Sequence, residues 1–311
     1  MQEITPEIKT QIQLKDYTSW LIGGPADFFC LPTTIEELAG AITFARNKNI
    51  PVTVLGGGTN VLVSDKGIRG LTICLRRFSK LEFKEENGFL KIVALSGTGK
   101  SDLLKVFLKH QLAPALFMAG LPGDVGGGVV MNAGVAENFV PREFGELVEW
   151  VEVLDTSAPS LALKRLEGKD IQWHYRHSDG WQPGIVVRVG LTWKSDKDPD
   201  VLVKVREANR TRLSKQPLDM PSCGSVFVNP TGHKAAQLVD SCGLKGTRFG
   251  DAQVSTKHAN FIVNLGQATA DDTLKVIRFV QKKVSEEKGV QLRTEVKFLG
   301  EWEQKDLSPT Y

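Results

Sequence analysis

The stretch Val52-Thr53-Val54-Leu55-Gly56-Gly57-Gly58-Thr59-Asn60-Val61-Leu62-Val63 places a glycine loop between two β-branched runs. Runs of this kind bounded by glycine are typical of strands, so the stretch predicts strand, loop, strand. A dinucleotide-binding Rossmann unit needs its glycine loop to open a helix. Because this loop opens none, the sequence favours a different anion-binding loop, in which the glycines and Asn60 present successive backbone N–H groups.

A second glycine-rich element follows about 65 residues further along the chain, which allows two loops to hold one long diphosphate cofactor from two sides. It consists of Gly123-Asp124-Val125-Gly126-Gly127-Gly128, and Asn132-Ala133-Gly134 comes shortly after it. A single glycine loop is more often a plain turn than a phosphate site. The paired loops are therefore a hypothesis that the rest of the chain has to support.

The segment Ala94-Leu95-Ser96-Gly97-Thr98-Gly99-Lys100-Ser101 offers a competing interpretation. It has the pattern of a nucleotide P-loop in which alanine replaces the first glycine. A P-loop needs that glycine for its turn, and the chain shows no convincing strand-terminal Asp for magnesium. A P-loop nucleotide-binding protein is thus the weaker alternative, and the segment otherwise leads into a helix at Lys100.

Length and composition limit the class of protein. The chain has 311 residues, room for about two domains. Its 39 basic and 36 acidic residues give a net charge of +3, which is too small to indicate a nucleic-acid partner. No apolar run approaches the ~18 residues of a spanning helix, and the first residues lack a signal-peptide core, so we expect a cytoplasmic protein without a membrane partner. The 4 cysteines have no Cys-x-x-Cys spacing, so we expect free thiols and no zinc site.

Local signals predict several helices and strands. Thr34-Ile35-Glu36-Glu37 is a capping box and predicts a helix over about 34–47. Thr269 with Asp272 predicts the start of a long amphipathic helix. A charged connection at 194–199 marks a domain boundary, and we place it at residue 198. Further strands are predicted at the following places: 151–154, 185–193, 226–228, 261–263 and 296–299.

A lone hydroxyl stands out in Pro221-Ser222-Cys223-Gly224-Ser225-Val226-Phe227-Val228-Asn229-Pro230. Ser225 follows a glycine turn and precedes a short apolar strand. That setting suits a serine that donates a proton, although a serine in a surface turn is the commoner meaning of such a pattern.

This stretch resembles the active-site motif of the UDP-N-acetylenolpyruvoylglucosamine reductase (MurB) family, and further family motifs recur in order between residues 17 and 300. These motifs are Trp20-Leu21-Ile22-Gly23-Gly24-Pro25-Ala26, Leu55-Gly56-Gly57-Gly58-Thr59-Asn60, Leu121-Pro122-Gly123-Asp124-Val125-Gly126-Gly127, Met131-Asn132-Ala133-Gly134, Tyr175-Arg176-His177-Ser178, Lys215-Gln216-Pro217 and Val254-Ser255-Thr256-Lys257-His258-Ala259-Asn260-Phe261. Any one of them is weak evidence, whereas the ordered set is specific. The length and the lack of a tyrosine-bearing insertion resemble the shorter, type II, class.

The resemblance implies an α+β fold. A two-part FAD-binding domain of the PCMH/vanillyl-alcohol-oxidase type would occupy 1–198, with lobes at about 1–75 and 76–198. A smaller C-terminal α/β substrate-binding domain would occupy 199–311. The implied activity is the NADPH-dependent, FAD-mediated reduction of UDP-N-acetylglucosamine enolpyruvate to UDP-N-acetylmuramate in peptidoglycan precursor synthesis, by a cytoplasmic protein that we expect to be a monomer.

The resemblance also assigns the catalytic residues. Arg176 would pair with the substrate carboxylate and stabilise the enolate-like intermediate, as preorganised charge does. Glu295 would polarise the carboxyl end through hydrogen bonds, and Ser225 would supply the proton. Taken without the family, Arg176 reads as a structural salt bridge and Glu295 as an ordinary strand glutamate.

Cofactor and substrate residues follow from the same motifs. FAD contacts are expected from Gly56, Gly57, Gly58, Thr59, Asn60, Gly123, Asp124, Gly126, Gly127, Asn132 and Gly134. Substrate contacts are expected from Tyr175, Arg212, Lys215, Asn229 and His258. The last two basic residues of the helical run 204–215 would clamp the pyrophosphate, although a solvated helix face is the plainer interpretation.

The pair His174 and His177 invites a metal site, but a strand or loop is expected to point these side chains apart, so we predict none.

Some positions depart from the family pattern. Leu21 stands where a basic residue is usual, Val135-Ala136 where Ala-Tyr is common, and Val228 where a polar residue is frequent. Asp124 replaces a small hydroxyl residue, and its carboxylate would repel a flavin diphosphate unless it points away or pairs with a base. Two further alternatives stay open: an FAD-dependent oxidase of the same fold with another substrate, and a binding module in which a degenerate P-loop or flavin domain has lost catalysis.

Overall fold

The computed structural model describes residues 6–135, 140–158 and 160–303. The chain forms two compact units. The first consists of Met1–Ile8, Cys30–Gly57 and Ile73–Thr211, and the second of Lys9–Phe29, Gly58–Thr72 and Arg212–Tyr311. The chain therefore passes from one unit to the other inside the first glycine loop, after Gly57. The boundary predicted at residue 198 stays a prediction.

The strands, in chain order, are β1 Lys9–Gln13, β2 Pro25–Cys30, β3 Val52–Leu55, β4 Val61–Val63, β5 Ile68–Cys74, β6 Leu81–Glu86, β7 Phe89–Leu95, β8 Val148–Asp155, β9 Ala162–Glu167, β10 Gln172–His174, β11 His177–Asp179, β12 Gly184–Lys194, β13 Arg248–Phe249, β14 Ala252–Val254, β15 Ile262–Asn264 and β16 Lys297–Leu299. The helices are α1 Ile35–Asn47, α2 Lys100–Lys109, α3 Pro114–Met118, α4 Val125–Val130, α5 Val201–Lys215, α6 Ala235–Ser241 and α7 Ala270–Lys288. None of the helices within the described ranges is long and apolar enough to cross a membrane.

A five-stranded antiparallel sheet organises the first unit, in the order β6-β7-β12-β8-β9. The central strand β12 buries residues on both faces, because it has neighbours on both edges and helices beside it. Phe107, Phe117 and Phe144 fill the core between this sheet and α2, α3 and α4. These aromatic side chains supply the large buried area that a core of this size needs.

The second unit is built around α7. Thr269 and Asp272 form the predicted capping box, and Gly289 ends the helix in the left-handed conformation with φ 67°. The buried face of α7 packs with Trp20, Ile22 and Leu62 in one core. Strands β1 and β2 pair antiparallel, β13-β14-β15 form a small antiparallel sheet, and β4 pairs parallel with β16.

Most local predictions are confirmed. Helix α1 begins after Thr34, whose hydroxyl accepts the N–H of Glu37, but the Glu37 carboxylate bonds Thr33 instead of closing the box on Thr34. The predicted strand at 226–228 is wrong, because Phe227 makes only an isolated bridge, to Thr294. On its other side the Asn260 side-chain amide takes the place of a strand, accepting from Phe227 N and donating to Phe227 O.

Replacement of Trp20 by Phe tests the core of the second unit. The indole Nε1 donates to Ile262 O over 2.7 Å, and Trp20 is 1% exposed. Trp20→Phe keeps an aromatic ring but removes a buried donor, so we expect a loss of about 1–3 kcal/mol in the free energy of unfolding. Urea titration followed by circular dichroism measures it. Trp302→Phe is the matched control, because its indole bond to Leu299 O lies at a half-buried position. Equal losses in the two variants would contradict the role given to Trp20.

Candidate active site

The two glycine loops touch directly in the first unit. A Cβ on Gly57 would lie 3.1 Å from the Cα of Gly123, and one on Gly56 would overlap the Asp124 carboxylate. Any side chain at these two positions would therefore push the loops apart. Glycine is required here for close backbone approach rather than for an unusual dihedral angle.

Asp124 joins the two loops through its carboxylate. Oδ1 accepts the N–H of Gly127 over 2.6 Å and so caps α4, while Oδ2 accepts the N–H of Gly57 from the other loop. Asp124 is only 6% exposed. The loops thus converge on one anionic group that accepts backbone N–H groups from both, as a phosphate would. This geometry fits a diphosphate cofactor, provided that the carboxylate moves aside.

The P-loop-like segment supports the second glycine loop from behind. Its backbone bonds that loop three times, through Lys100 N to Gly123 O, Val125 N to Thr98 O and Gly126 N to Ser96 O. The Lys100 side chain is 4% exposed and donates to Pro122 O over 3.0 Å.

Burial lowers the pKa of Lys100 to about 8, although the charge of Asp124 acts in the opposite direction. Because the ammonium faces inward, it is not placed to bind a nucleotide, and the P-loop alternative loses its main residue.

The end of the first loop belongs to the second unit and is bonded to the segment of Glu295. Asn60 Nδ2 donates to Glu295 O over 3.1 Å, and Lys297 N donates to Asn60 O over 3.0 Å. Gly58 has φ 69°, and a Cβ there would overlap Tyr17 O. Thr59 lies half-buried between Gly58 and Asn60. The predicted cofactor residues 58–60 are therefore held against the segment of a predicted catalytic residue.

Ser225 lies beside Glu295 in the same unit. Gly224 turns the chain with φ 82°, Val226 N donates to Asn260 O, and Glu295 N donates to Val226 O over 2.8 Å. Ser225 is half-buried. Burial raises the pKa of the neighbouring Cys223 thiol well above its usual range, and the negative charge of Glu295 raises it further. The Glu295 backbone is thus bonded directly after the Cys223-Gly224-Ser225 turn, and its negative charge reaches the Cys223 thiol.

Lys297 is a neighbour that the sequence reasoning missed. Burial lowers the pKa of its ammonium, and the charge of Glu295 counteracts that effect. Glu295 and Lys297 are two residues apart, at the bend that leads into β16. Their closeness in the sequence was the available signal.

Arg176 occupies the tip of the β10–β11 hairpin in the first unit. Its φ is 62°, its guanidinium lies 4.6 Å from the ring centroid of Tyr175, and Nη2 donates to Gly134 O over 3.1 Å. A Cβ on Gly134 would lie 2.6 Å from Arg176 Nη1. Gly134 therefore sets the position of the guanidinium.

Asn132 holds the same hairpin in place. It is fully buried, Nδ2 donates to Glu143 Oε2 and to His174 O, and Oδ1 accepts the N–H of Gly145. These bonds occupy the side-chain amide. The structure shows Asn132 and Gly134 in contact with the hairpin. Their predicted contacts with the cofactor stay predictions.

The hairpin corrects one argument from the sequence. His174 and His177 are cross-strand partners, so the turn brings their rings together at 6.2 Å instead of pointing them apart. Both face the carboxylate of Asp179, at 3.9 and 2.9 Å. Within the described ranges no cluster of three or more His, Cys, Asp or Glu side chains is arranged to hold a metal ion.

Two of the predicted substrate residues of the second unit, Arg212 and Lys215, lie in the last turn of α5. Lys257 Nζ donates to Leu213 O over 2.5 Å, which ties the loop of His258 to the helix end that carries Arg212 and Lys215. Burial lowers the pKa of His258, and the charge of Lys245 lowers it further. His258 Nδ1 accepts the N–H of Asn260, which suits the neutral ring.

The remaining predicted contact, Asn229, and the positions that depart from the family pattern have the following surroundings. Asn229 is exposed, and its Oδ1 accepts Ala235 N at the start of α6. Leu21 is 54% exposed with φ 56°. Val228 is buried, whereas Ala136 lies outside the described residues.

Comparison with known proteins decides the family. Residues 26–158 match the model of an FAD binding domain, and residues 216–299 match the C-terminal domain of UDP-N-acetylenolpyruvoylglucosamine reductase. The reductase of Lactiplantibacillus plantarum is 41% identical over 95% of this chain and 94% of its own length. The chain belongs to the UDP-N-acetylenolpyruvoylglucosamine reductase (MurB) family. The reductase of Moorella thermoacetica is 40% identical over 95% of this chain and 94% of its own length.

Solved structures agree with the sequence comparisons. The crystal structure of the MurB reductase from Thermus caldophilus matches with a TM-score of 0.76 and 33% identity, over 94% of this chain and 99% of that one. The predicted α+β fold, an FAD-binding domain with the C-terminal domain of the MurB family, is confirmed.

Gly134→Ala tests how Arg176 is positioned. The new methyl group would meet the guanidinium and the carbonyl of Arg142, so we expect kcat to fall by about 10- to 100-fold, the effect of a displaced charged group at a reacting centre. Steady-state kinetics measures it. Arg176→Ala and the double variant are the controls. If Gly134 acts only through Arg176, the second substitution adds no further loss to Arg176→Ala. Additive losses would contradict this positioning role.

Proposed function

We propose that the chain reduces UDP-N-acetylglucosamine enolpyruvate to UDP-N-acetylmuramate with NADPH, in the synthesis of peptidoglycan precursors. The observation that carries the proposal is the arrangement in the second unit, where Glu295 N bonds the carbonyl of Val226, the residue after Ser225, and Asn60 of the glycine loop bonds the Glu295 carbonyl. Membership of the reductase family over 95% of the chain supports it. We place the reaction in the cytoplasm, because a nucleotide sugar and NADPH are both available there.

FAD, when bound, would supply hydride transfer from NADPH to the terminal carbon of the enolpyruvyl alkene. The two glycine loops would hold its diphosphate through backbone N–H groups, with Gly57 and Gly127 as the donors already directed at one point. The protein's remaining tasks are to orient the alkene, to stabilise negative charge on the substrate and to supply one proton.

Arg176 would take up the negative charge. After hydride addition, electron density moves onto the substrate carboxylate, and a guanidinium fixed in advance stabilises that state more than the ground state. The bond to Gly134 O and the stacking on Tyr175 restrict the guanidinium, so little reorganisation is required. This restriction is the property that a preorganised charge needs.

Ser225 would donate the proton to the carbon next to the carboxylate, which completes the reduction of the double bond. A hydroxyl is a weak acid in water, so its surroundings must assist the transfer. The half-buried turn and the nearby Glu295 supply such surroundings. Glu295 would polarise the carboxyl end as a hydrogen-bonding partner of the substrate or of Arg176.

The UDP portion would bind where the end of α5 meets the loop of His258. Arg212 and Lys215 carry positive charge suited to a diphosphate, and guanidinium groups match phosphate oxygens in pairs. A neutral His258 ring and the Asn229 amide offer hydrogen bonds without opposing charge. Tyr175, 41% exposed at the hairpin tip, is a further proposed substrate contact.

Anaerobic absorption spectra of the purified protein test the whole proposal. We expect NADPH to bleach the visible flavin bands and UDP-N-acetylglucosamine enolpyruvate to restore them, since the two additions report the two half-reactions. Bands that stay bleached after the second addition would indicate a flavin enzyme with another substrate. A colourless protein that takes up no FAD would contradict the proposal altogether.

Ser225→Ala tests the proton donor. Because only the second half-reaction needs the proton, we expect reoxidation by the enolpyruvyl substrate to slow by about 100-fold or more, while bleaching by NADPH keeps its rate. Stopped-flow absorbance measures both steps. Ser222→Ala, three residues earlier in the same loop, is the matched control and should change neither. Normal reoxidation in Ser225→Ala would remove Ser225 from this role.

A further inference from the structure

We propose that Asp124 competes with FAD inside its own site: in the FAD-free chain its carboxylate occupies N–H groups of both glycine loops, and the cofactor diphosphate has to displace it. This inference rests on the proposed assignment of the two loops to the diphosphate.

The geometry of the carboxylate supports the competition. Its two oxygens accept N–H groups from different loops, Gly127 in the loop of Asp124 itself and Gly57 in the other. At 6% exposure the carboxylate fills the space between the loops rather than pointing into solvent. Phosphate oxygens accept hydrogen bonds from backbone N–H groups of this kind. Two anions cannot accept the same N–H groups at close range without strong repulsion.

Asp124 is also able to leave. Only its side chain has to rotate, because the backbone of the loop stays fixed by its bonds to 96–100. Water or the cofactor would then satisfy the N–H groups that it releases. The competition therefore weakens FAD binding, but the loops do not have to refold.

Lys100 preserves the charge balance when the carboxylate moves. Its ammonium is buried under the second loop and bonds Pro122 O, and no carboxylate of the described chain lies within 4 Å of it in an ion pair. The charge of Asp124 raises the pKa of the Lys100 ammonium, against the effect of burial. When the diphosphate replaces the carboxylate, its negative charge would act on Lys100 in the same direction through the loop, without direct contact.

Asp124→Ser is the decisive variant. A serine still accepts the Gly127 N–H and caps α4 about as well as aspartate, but it is too short to reach Gly57 and carries no charge. Asp124→Asn keeps the length of the side chain, removes the charge and turns one of the two acceptor oxygens into an NH2 donor, so that only one of the two N–H groups can still be bound. Asp196→Asn removes an equal charge from an exposed surface position of the same unit and serves as the matched control.

The measurement is FAD binding to the full chain after the flavin has been removed, followed by flavin fluorescence, together with the Tm of the FAD-free chain. We expect Asp124→Ser and Asp124→Asn to lower the Kd for FAD by about tenfold or more and to lower the Tm of the FAD-free chain, because the link between the loops is lost. We expect inorganic pyrophosphate alone to raise the Tm of Asp124→Ser more than that of the unaltered chain. Asp196→Asn should change none of these values.

Three outcomes would refute the inference. If the unaltered chain binds FAD and both Asp124 variants bind it equally or more weakly, the competition is refuted while the proposed function stands. If pyrophosphate stabilises both chains equally, the site of competition is not the diphosphate and the inference fails. If neither the unaltered chain nor the variants bind FAD, the proposed function fails and the inference fails with it.

Discussion

The parallel pairing of β4 with β16 is the constraint on which the second unit's site depends. It is extended by the bond from Asn60 Nδ2 to the carbonyl of Glu295, which joins residues 235 positions apart. Because both ends of this link are backbone or short side chain, the end of the glycine loop and Glu295 share one rigid frame. A site built on paired strands holds its groups more closely than one built on free loops.

Buried charge follows a common rule in both units. In the first, Lys100 lies under the loop of Asp124, and burial is the larger influence on its pKa. In the second, Lys297 lies near Glu295, and burial again dominates while the opposite charge offsets part of it. In each unit the buried cation thus has an anion of the proposed site nearby, which limits the cost of its desolvation.

The sequence was most informative where one local rule decides the outcome. The capping residues of α1 and α7 and the family motifs were sufficient to predict helices, glycine loops and the fold class. Contacts between residues that are distant in the sequence could not be predicted from it. No local pattern shows that the Asn60 amide bonds the Glu295 carbonyl or that Asp124 links two loops. Nor does it show that the Asn132 amide donates to Glu143 and to the hairpin. The predicted strand at 226–228 is wrong for the same reason, because the Asn260 side-chain amide, and not a neighbouring strand, bonds the backbone of Phe227.

The second unit is assembled from three separate pieces of chain, and this has a consequence for the order of folding. Trp20, Ile22 and Leu62 come from the first two pieces and pack with side chains of the last hundred residues. The early pieces therefore leave the ribosome long before the helix α7 that covers them exists. Contacts between such distant residues carry a large loop-closure entropy, so this unit should fold late and slowly, while the more local antiparallel sheet of the first unit can form during synthesis.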